Sequence, residues 1–320
     1  MKRKLDGSMQ AAAQSLYQAK RVLIASHVNP DGDTIGCQLA LGLALISVGK
    51  RVILINQDGV PSRYQFLPGS ELIFTTTKEV ADVSVAVDCG SIQQLGNVQE
   101  IFLKSKTTIQ IDHHDFGNTF GKLQVLEEEA SAVGEIVYEL IRALKIKINR
   151  PIATCLLTSI IVDTGAFRFT NIRPKTFDIC SRLMKTGVDM QHLIEESYWN
   201  KSRAMARLAS FCILQAQYSQ DNAVAWSLIY AKDFERFRSK VNDADAVADE
   251  LRSIEGVKVA ALFREIEGDR LRVSMRSRYG INVATVATHF GGGGHHNSAG
   301  CVIKSADREK LIEQLEKLVS

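Results

Sequence analysis

No apolar run in this chain is long enough to cross a membrane: the longest, Cys37 to Val48, is broken by Gln38 and Gly42 and falls well short of the roughly 20 residues a span needs. No apolar leader follows the basic Met1 to Lys4, because Leu5, Asp6 and Gly7 lead into a mixed helix. A cytoplasmic address, with no membrane partner, is therefore expected. The six cysteines (Cys37, Cys89, Cys155, Cys180, Cys212 and Cys301) form no CxxC pair and sit mostly in apolar runs, as buried reduced thiols do. Structural zinc is not expected. Charge of one sign is scarce as well. Lys and Arg number 39 against 36 Asp and Glu, and a net +3 is too small to hold a long polyanion. Any nucleic-acid partner should be short. Repeats and low-complexity tracts are missing, apart from Gly291 to Gly294.

What remains is an ordinary globular composition, 45% hydrophobic and 23% charged, over 320 residues. That length suits two domains better than one core. In the first half, β-like runs at Arg21–Ala25, Arg51–Ile55, Val83–Val87 and Thr107–Ile111 alternate with helical patterns such as Thr34–Val48 and Ala132–Leu144. Such alternation predicts a parallel α/β sheet. More helices are expected at 152–162, 176–185 and 190–196, followed by a connecting helix over 201–218. The polar Ser219–Asn222 reads as the entrance to a smaller α+β domain. There a hairpin turning at Glu267-Gly268-Asp269 precedes a helix (281–290), the glycine loop and a final amphipathic helix (308–319). The expected division is a first domain over 1–190, a helical linker over 191–219 and a second domain over 220–320, with a cleft between the domains.

Chemistry gathers at the strand ends, where α/β sheets bind their ligands. The first run leads into Ser26-His27-Val28-Asn29-Pro30-Asp31-Gly32-Asp33-Thr34, which places one imidazole and two carboxylates together. Asp33 alone reads better as a helix N-cap. With His27 and Asp31 beside it, metal ligation becomes the stronger reading. Asp88 follows the third run, Asp112-His113-His114-Asp115 the fourth, and Asp163 ends an apolar helix. Each alone is an ordinary turn or cap residue, but their recurrence at successive strand ends is not. Carboxylates and imidazoles without thiolates suit Mn²⁺, or Mg²⁺, and the set suffices for two ions if one aspartate bridges. Such a pair activates water for hydrolysis of a phosphate ester.

With His27-x-x-x-Asp31-x-Asp33, then Asp88, then Asp112-His113-His114, then Asp163-Thr164-Gly165, nearly the whole chain resembles the DHH phosphoesterase family. The resemblance implies that His27, Asp31 and Asp88 hold one metal. It implies that Asp33, Asp88, His113 and Asp163 hold the other, with Asp88 as the bridge. It gives Asp112 a supporting role and sets His114 toward the reacting phosphate as hydrogen-bond donor or general acid.

In the second half, Gly291 to Gly294 joins a helix to a strand inside a domain, where a flexible linker has little use. Glycines there leave amides free for an anion or a base, through Gly292, Gly293 and Gly294. Arg272, Arg276 and Arg278 alternate just upstream on a predicted strand. The pair resembles the C-terminal domain that accompanies many DHH enzymes, where an arginine and a Gly-Gly-Gly-His loop grip the substrate. Arg276 and His295 are the matching positions. Length and domain content most resemble the family branch that hydrolyses short oligoribonucleotides (nanoRNA, linear dinucleotides) and adenosine bisphosphate (pAp). A cyclic-dinucleotide phosphodiesterase and a RecJ-type single-strand exonuclease are the alternatives, although the latter are typically longer. The expected partner is short RNA or a small nucleotide, and a homodimer stays open.

Overall fold

The structure, a computed structural model, describes residues 2–114, 119–278 and 280–320, without the side chains of 2–6, 242, 245, 246 and 295. The chain divides into two compact units, Met1–Asn200 and Lys201–Ser320. Among the described residues no helix is long and apolar enough to cross a membrane.

The first unit begins with α1 (Lys2–Gln18), β1 (Arg21–Ser26), α2 (Gly32–Ser47), β2 (Arg51–Ile55), β3 (Ile73–Phe74) and β4 (Val83–Val87). It continues with α3 (Gln99–Leu103), β5 (Thr107–Asp112), β6 (Leu123–Leu126), α4 (Val133–Ala143), α5 (Arg150–Asp163), α6 (Pro174–Met184) and α7 (Met190–Ile194). Its six strands are all parallel, in the order β3-β2-β1-β4-β5-β6. β1 and β4 are central and buried on both faces, which is why they read as near-continuous apolar runs. Successive residues serve opposite layers. Val22, Ile24, Val85 and Ile109 face α1, α2, α4 and α5, while Leu23, Ala25 and Ala86 face Leu95, Val98 and Phe102.

α2 is almost wholly buried. Its neighbour α5 comes close because Gly36 carries no side chain. A Cβ there would lie 2.5 Å from the Cys155 carbonyl oxygen. A Cβ on Gly134 of α4 would meet the Ser159 hydroxyl in the same way. These glycines pull three helix ends together beneath the sheet's carboxyl edge.

The second unit begins with α8 (Arg203–Leu214), β7 (Gln217–Tyr218), β8 (Val224–Ile229), α9 (Ala231–Phe237), α10 (Ala244–Arg252) and β9 (Val259–Ile266). It ends with β10 (Arg270–Ser277), α11 (Val283–His289), β11 (Gly293–His295), β12 (Ser298–Lys304) and α12 (Arg308–Val319). The sheet order is β11-β12-β10-β9-β8-β7, antiparallel except for β8 beside β9. α11 and α12 cover one face, and α8, α9 and α10 the other. The β9–β10 hairpin turns where Gly268 and Asp269 both adopt positive φ.

Three sequence readings change. The stretch 201–218 is not one helix: α8 stops at Leu214, and Gln217–Tyr218 pairs with β8, so Ser219–Asn222 is a hairpin turn. α8 buries Met205, Leu208 and Cys212 in the second unit's core. The glycine run is not a loop throughout, because Gly293 and Gly294 belong to edge strand β11. Arg278 lies beyond the end of β10, so only Arg272 and Arg276 alternate within it. All six cysteines are free and buried.

Gly36→Ala should destabilise the protein by about 1–3 kcal/mol, because the new methyl group meets backbone rather than a side chain that can turn away. Gly7→Ala, with nothing within 4 Å, should leave stability unchanged or raise it by about 0.5–1 kcal/mol. Denaturant unfolding of the two variants checks the opposite signs.

Candidate active site

In the first sheet, connections run away from each other on either side of β1 and β4, and the crevice that opens at such a switch point is where α/β proteins bind ligands. His27 follows β1, Asp88 follows β4, and Asp112 ends β5 with His113 and His114 next. Asp163 ends α5. The candidate ligand atoms fall into three groups, each within 4.8 Å: His27, Asp31 and Asp88; Asp88, His113 and His114; Asp33, His113 and Asp163. All six expected ligands are thus brought together. His114 comes within the same reach, and the third group forms without Asp88. Asp115 lies outside the described residues.

Asp88 is fully buried, and its N–H donates to the Ile111 carbonyl at 2.9 Å, extending the β4–β5 ladder by one rung. Its φ of 58° then turns the chain into the left-handed region, a conformation that costs of order 1–3 kcal/mol and gathers at functional sites. Asp31 rather than Asp33 is the N-cap of α2, its Oδ1 accepting from the Thr34 N–H at 3.0 Å. Asp33 lies inside the first turn of α2 and caps another helix. Its Oδ2 accepts from the Val133 N–H at 2.9 Å and its Oδ1 from the Gly134 N–H at 3.3 Å, where α4 begins. The Ser159 hydroxyl at 2.5 Å and the Cys37 thiol at 3.0 Å also donate to that Oδ1.

The histidines are oriented from behind. Nδ1 of His27 lies 2.7 Å from the Val28 carbonyl oxygen, and Nδ1 of His113 lies 2.9 Å from that of Ala130. A carbonyl can only accept, so both Nδ1 atoms carry hydrogen and both Nε2 atoms face inward. Nε2 of His27 is 3.4 Å from Asp88 Oδ2, and Nε2 of His113 is 3.4 Å from Asp163 Oδ2. His114 Nδ1 sits 2.6 Å from Asp112 Oδ1, which also accepts from the His113 N–H at 2.8 Å. A neutral Nε2 lone pair aimed at a carboxylate oxygen is repulsive unless a proton or a metal ion lies between them. Imidazoles fixed through the far nitrogen, with oxygen donors and no inward thiolate, fit a divalent metal centre.

Electrostatics agree. Burial opposes charge on His27, but hydrogen bonding and attraction from Asp88 outweigh it and raise its pKa to about 9. Burial likewise opposes charge on His113, yet Asp163, Asp33 and Asp88 raise it to about 10. His114 is raised by Asp112 against its burial. Burial and the neighbouring Asp88 push Asp33 up to about 7. Asp163 is held well above the usual carboxylate range by burial, despite His113.

Two contributors escape a sequence reading. Thr34 Oγ1 lies 2.5 Å from His27 Nε2, 2.5 Å from Asp88 Oδ2 and 3.1 Å from Asp31 Oδ1, at the centre of the first group. Ser159 supports Asp33 from α5. Thr34 carries a faint signal, since it follows the acidic motif directly. Ser159 carries none.

In the second unit, β10–β12 pairing sets Arg276 opposite Ser298, and β11–β12 pairing sets His295 opposite Ser298. One register row therefore carries Arg276, Ser298 and His295, while the side chain of His295 is outside the described residues. The Arg276 guanidinium is partly buried, 3.4 Å from Asp249 Oδ1, with Nη1 donating to its neighbour's carbonyl at 3.1 Å. The glycines divide. A Cβ on Gly292 would collide with the Gly300 oxygen, and one on Gly294 would fall 2.6 Å from Ala299 Cα, whereas Gly293 faces open space. Gly292 and Gly294 are demanded by packing on β12, whereas Gly293 has open space on its side-chain face.

Residues 21–160 match the model of the DHH family, N-terminal domain, and residues 227–320 that of the DHHA1 domain. A Thermus thermophilus protein named bifunctional oligoribonuclease and PAP phosphatase NrnA is 30% identical over 93% of this chain and 89% of its own. A Bacillus subtilis protein of the same name is 28% identical over 95% and 96%. The crystal structure of an exopolyphosphatase-related protein from Bacteroides fragilis superposes with a TM-score of 0.90 at 26% identity, covering 98% of this chain and 96% of that one.

Metal affinity should rise with pH. His27 and His113 titrate above the ordinary imidazole value of 6.5, so in metal-free protein their protonated forms contribute stability that is complete below that value and lost as pH passes about 9 to 10. A divalent ion must displace those protons, so its Kd should fall at least about tenfold per unit between about pH 6.5 and 8.5. Calorimetric titration with Mn²⁺ at three pH values checks this, and a flat profile would contradict the orientation of the imidazoles.

Proposed function

The chain belongs to the DHH family of metal-dependent phosphoesterases, and from that premise we propose that it hydrolyses short oligoribonucleotides, linear dinucleotides and adenosine bisphosphate to mononucleotides. The observation that carries this reading is the convergence of four aspartates and three histidines at the switch point of the parallel sheet. The names and near-complete overlap of the two relatives support the substrate class.

We assign His27, Asp31 and Asp88 to one manganese ion and Asp33, His113 and Asp163 to a second, with Asp88 as the bridge because it groups with His27 and Asp31 on one side and with His113 on the other; magnesium is the substitute. Bound there, the ions supply Lewis acidity toward a phosphoryl oxygen and activation of the attacking water. The protein's own part is orientation and proton transfer. Thr34 fixes Asp31 through its backbone N–H and Asp88 through its hydroxyl, and Ser159 with the first amides of α4 fixes Asp33. Asp112 holds His114 by Nδ1, which points Nε2 away from Asp112 for a proton to the leaving oxygen. Arg276, Gly293 and His295 form the substrate grip of the second unit, with Gly292 and Gly294 shaping the strand that carries it. A guanidinium can meet a phosphate through two parallel N–H bonds.

Asp88→Ala should lower turnover of a linear diadenylate by several orders of magnitude and reduce bound metal. His114→Ala should lower it about 10²- to 10⁴-fold with metal content kept, as removal of a proton donor does. Metal analysis of the purified His114 variant decides that assignment, because missing metal would make His114 a ligand, as its place beside Asp88 and His113 permits.

Arg276→Ala should chiefly raise KM, by the equivalent of about 1.5–3 kcal/mol for removing one charged hydrogen bond to phosphate, with metal content unchanged. Steady-state kinetics on a ladder of short RNAs, pAp and cyclic dinucleotides measure it. Preferred turnover of cyclic dinucleotides, or processive digestion of long strands, would overturn the substrate assignment.

A further inference from the structure

The net charge of +3 hides an uneven distribution. Residues 201–240 hold seven Lys and Arg (Lys201, Arg203, Arg207, Lys232, Arg236, Arg238, Lys240) against three Asp and Glu (Asp221, Asp233, Glu235). That stretch alone is +4, so the remainder of the chain is slightly acidic. Within it α8 and α9 form a groove of about 390 Å³ walled by Arg207, Ser210, Phe211, Leu214, Arg236 and Phe237. The Arg236 guanidinium lies 5.2 Å from the Phe211 ring centre and 5.1 Å from that of Phe237, and the two rings are themselves 5.1 Å apart. Arg207 stands one helical turn before Phe211 on the same face of α8. Leu214, at the end of that face, is 87% exposed.

Two features set this surface apart from a solvated helix face. The basic residues of the second unit that pair with acids among the described residues do so elsewhere: Lys201 with Glu250, Arg252 and Arg276 with Asp249, Arg308 with Glu309, and Lys310 with Asp307. Among the described residues no carboxylate lies within ion-pairing distance of Arg203, Arg207, Arg236 or Arg238. The second feature is a cluster in which the exposed Arg236 guanidinium sits against two partly buried aromatic rings. A guanidinium held against aromatic rings keeps N–H groups available for an anion, and rings at a groove offer apolar faces to a planar base. Planar rings and anions at regular spacing describe a single-stranded nucleic acid, which is bound by basic grooves lined with aromatic side chains.

We propose that the α8–α9 groove is a docking site for single-stranded nucleic acid. Arg207 and Arg236 contact successive phosphates, and the cluster of Phe211, Arg236 and Phe237 receives bases. The site uses none of the residues assigned to hydrolysis, so it stands or falls apart from the proposed activity. It gives the protein a hold on strands longer than the dinucleotide that a few interactions at the other residues would select.

The test is fluorescence anisotropy of a labelled oligoadenylate of about ten nucleotides in EDTA, where no turnover occurs, with the full-length protein. Arg207→Glu combined with Arg236→Glu should weaken binding at least about tenfold. The slope of log affinity against log salt should fall by about 1.4, at about 0.7 for each phosphate of a single strand that the variant no longer neutralises. Arg236→Lys, which keeps the charge and removes the planar guanidinium, should bind several-fold more weakly than wild type and guards against misfolding of the double variant. Turnover of pAp, read separately, should be unchanged in both. Undiminished oligoadenylate binding by the double variant overturns the site. So does equal displacement by polyglutamate of matched charge, which would mark the groove as a general anion or acidic-protein surface.

Discussion

Buried negative charge is the constraint on which the first unit depends. Asp33 and Asp88 converge with their carboxylates withdrawn from water and the mostly covered Asp163 beside Asp33, an arrangement that is strongly unfavourable unless cations or strong donors answer it. The surrounding fold supplies those answers. The first amides of α4 and the Ser159 hydroxyl point at Asp33, Thr34 points at Asp88, and imidazoles held by main-chain carbonyls face Asp88 and Asp163. Gly36 and Gly134 exist in that frame to let three helix ends close around one carboxylate. The same crowding that raises the pKa of Asp33 and Asp163 makes a divalent cation an effective way to keep them ionised. Stability and catalysis are coupled through one set of charges.

Sheet order explains why the charges meet where they do. All six strands are parallel, so every strand's carboxyl end lies on one edge, and β1 and β4 are adjacent although β2 and β3 intervene in sequence. The connections leaving β1 and β4 diverge, which leaves the space above those two strands uncovered. His27 and Asp88 stand at its floor, Asp112 to His114 enter from β5, and Asp163 comes in from the end of α5. Residues separated by more than 130 positions, His27 and Asp163, need only short reaches to join one candidate site.

Much of this was legible because parallel core strands announce themselves as apolar runs and the residue after each run lands on the functional edge. Asp88 and Asp112 could be found that way, and the acidic motif after β1 marked His27, Asp31 and Asp33. What stayed hidden depends on partners distant in sequence. Ser159 is an ordinary polar residue in an apolar helix until α2 brings Asp33 against it, and the capping of α4 by Asp33 spans a hundred residues. β3 and β6 are edge strands of two and four residues, too short for a periodic signal. The glycine run is ambiguous in sequence for a related reason. Glycine serves both ligand approach and close strand packing, and only the register with β12 separates Gly293 from Gly292 and Gly294.

The second unit shows how an average can conceal a surface. A chain near neutrality gives no reason to expect a polyanion, and that inference is sound for charge spread evenly. Here the basic residues of α8 and α9 stand without acidic partners among the described residues, while α10 carries the carboxylates that tie Lys201, Arg252 and Arg276. Field strength at a groove depends on the charges within about a Debye length of it, roughly 8 Å at physiological ionic strength. Arg276 and the pair Arg207 and Arg236 are therefore electrostatically different kinds of arginine. Asp249 already holds the first near a fixed pose on β10, which favours recognition of one phosphate in one place. The others lie on exposed helices over aromatic rings, which favours any strand that offers bases and phosphates in sequence.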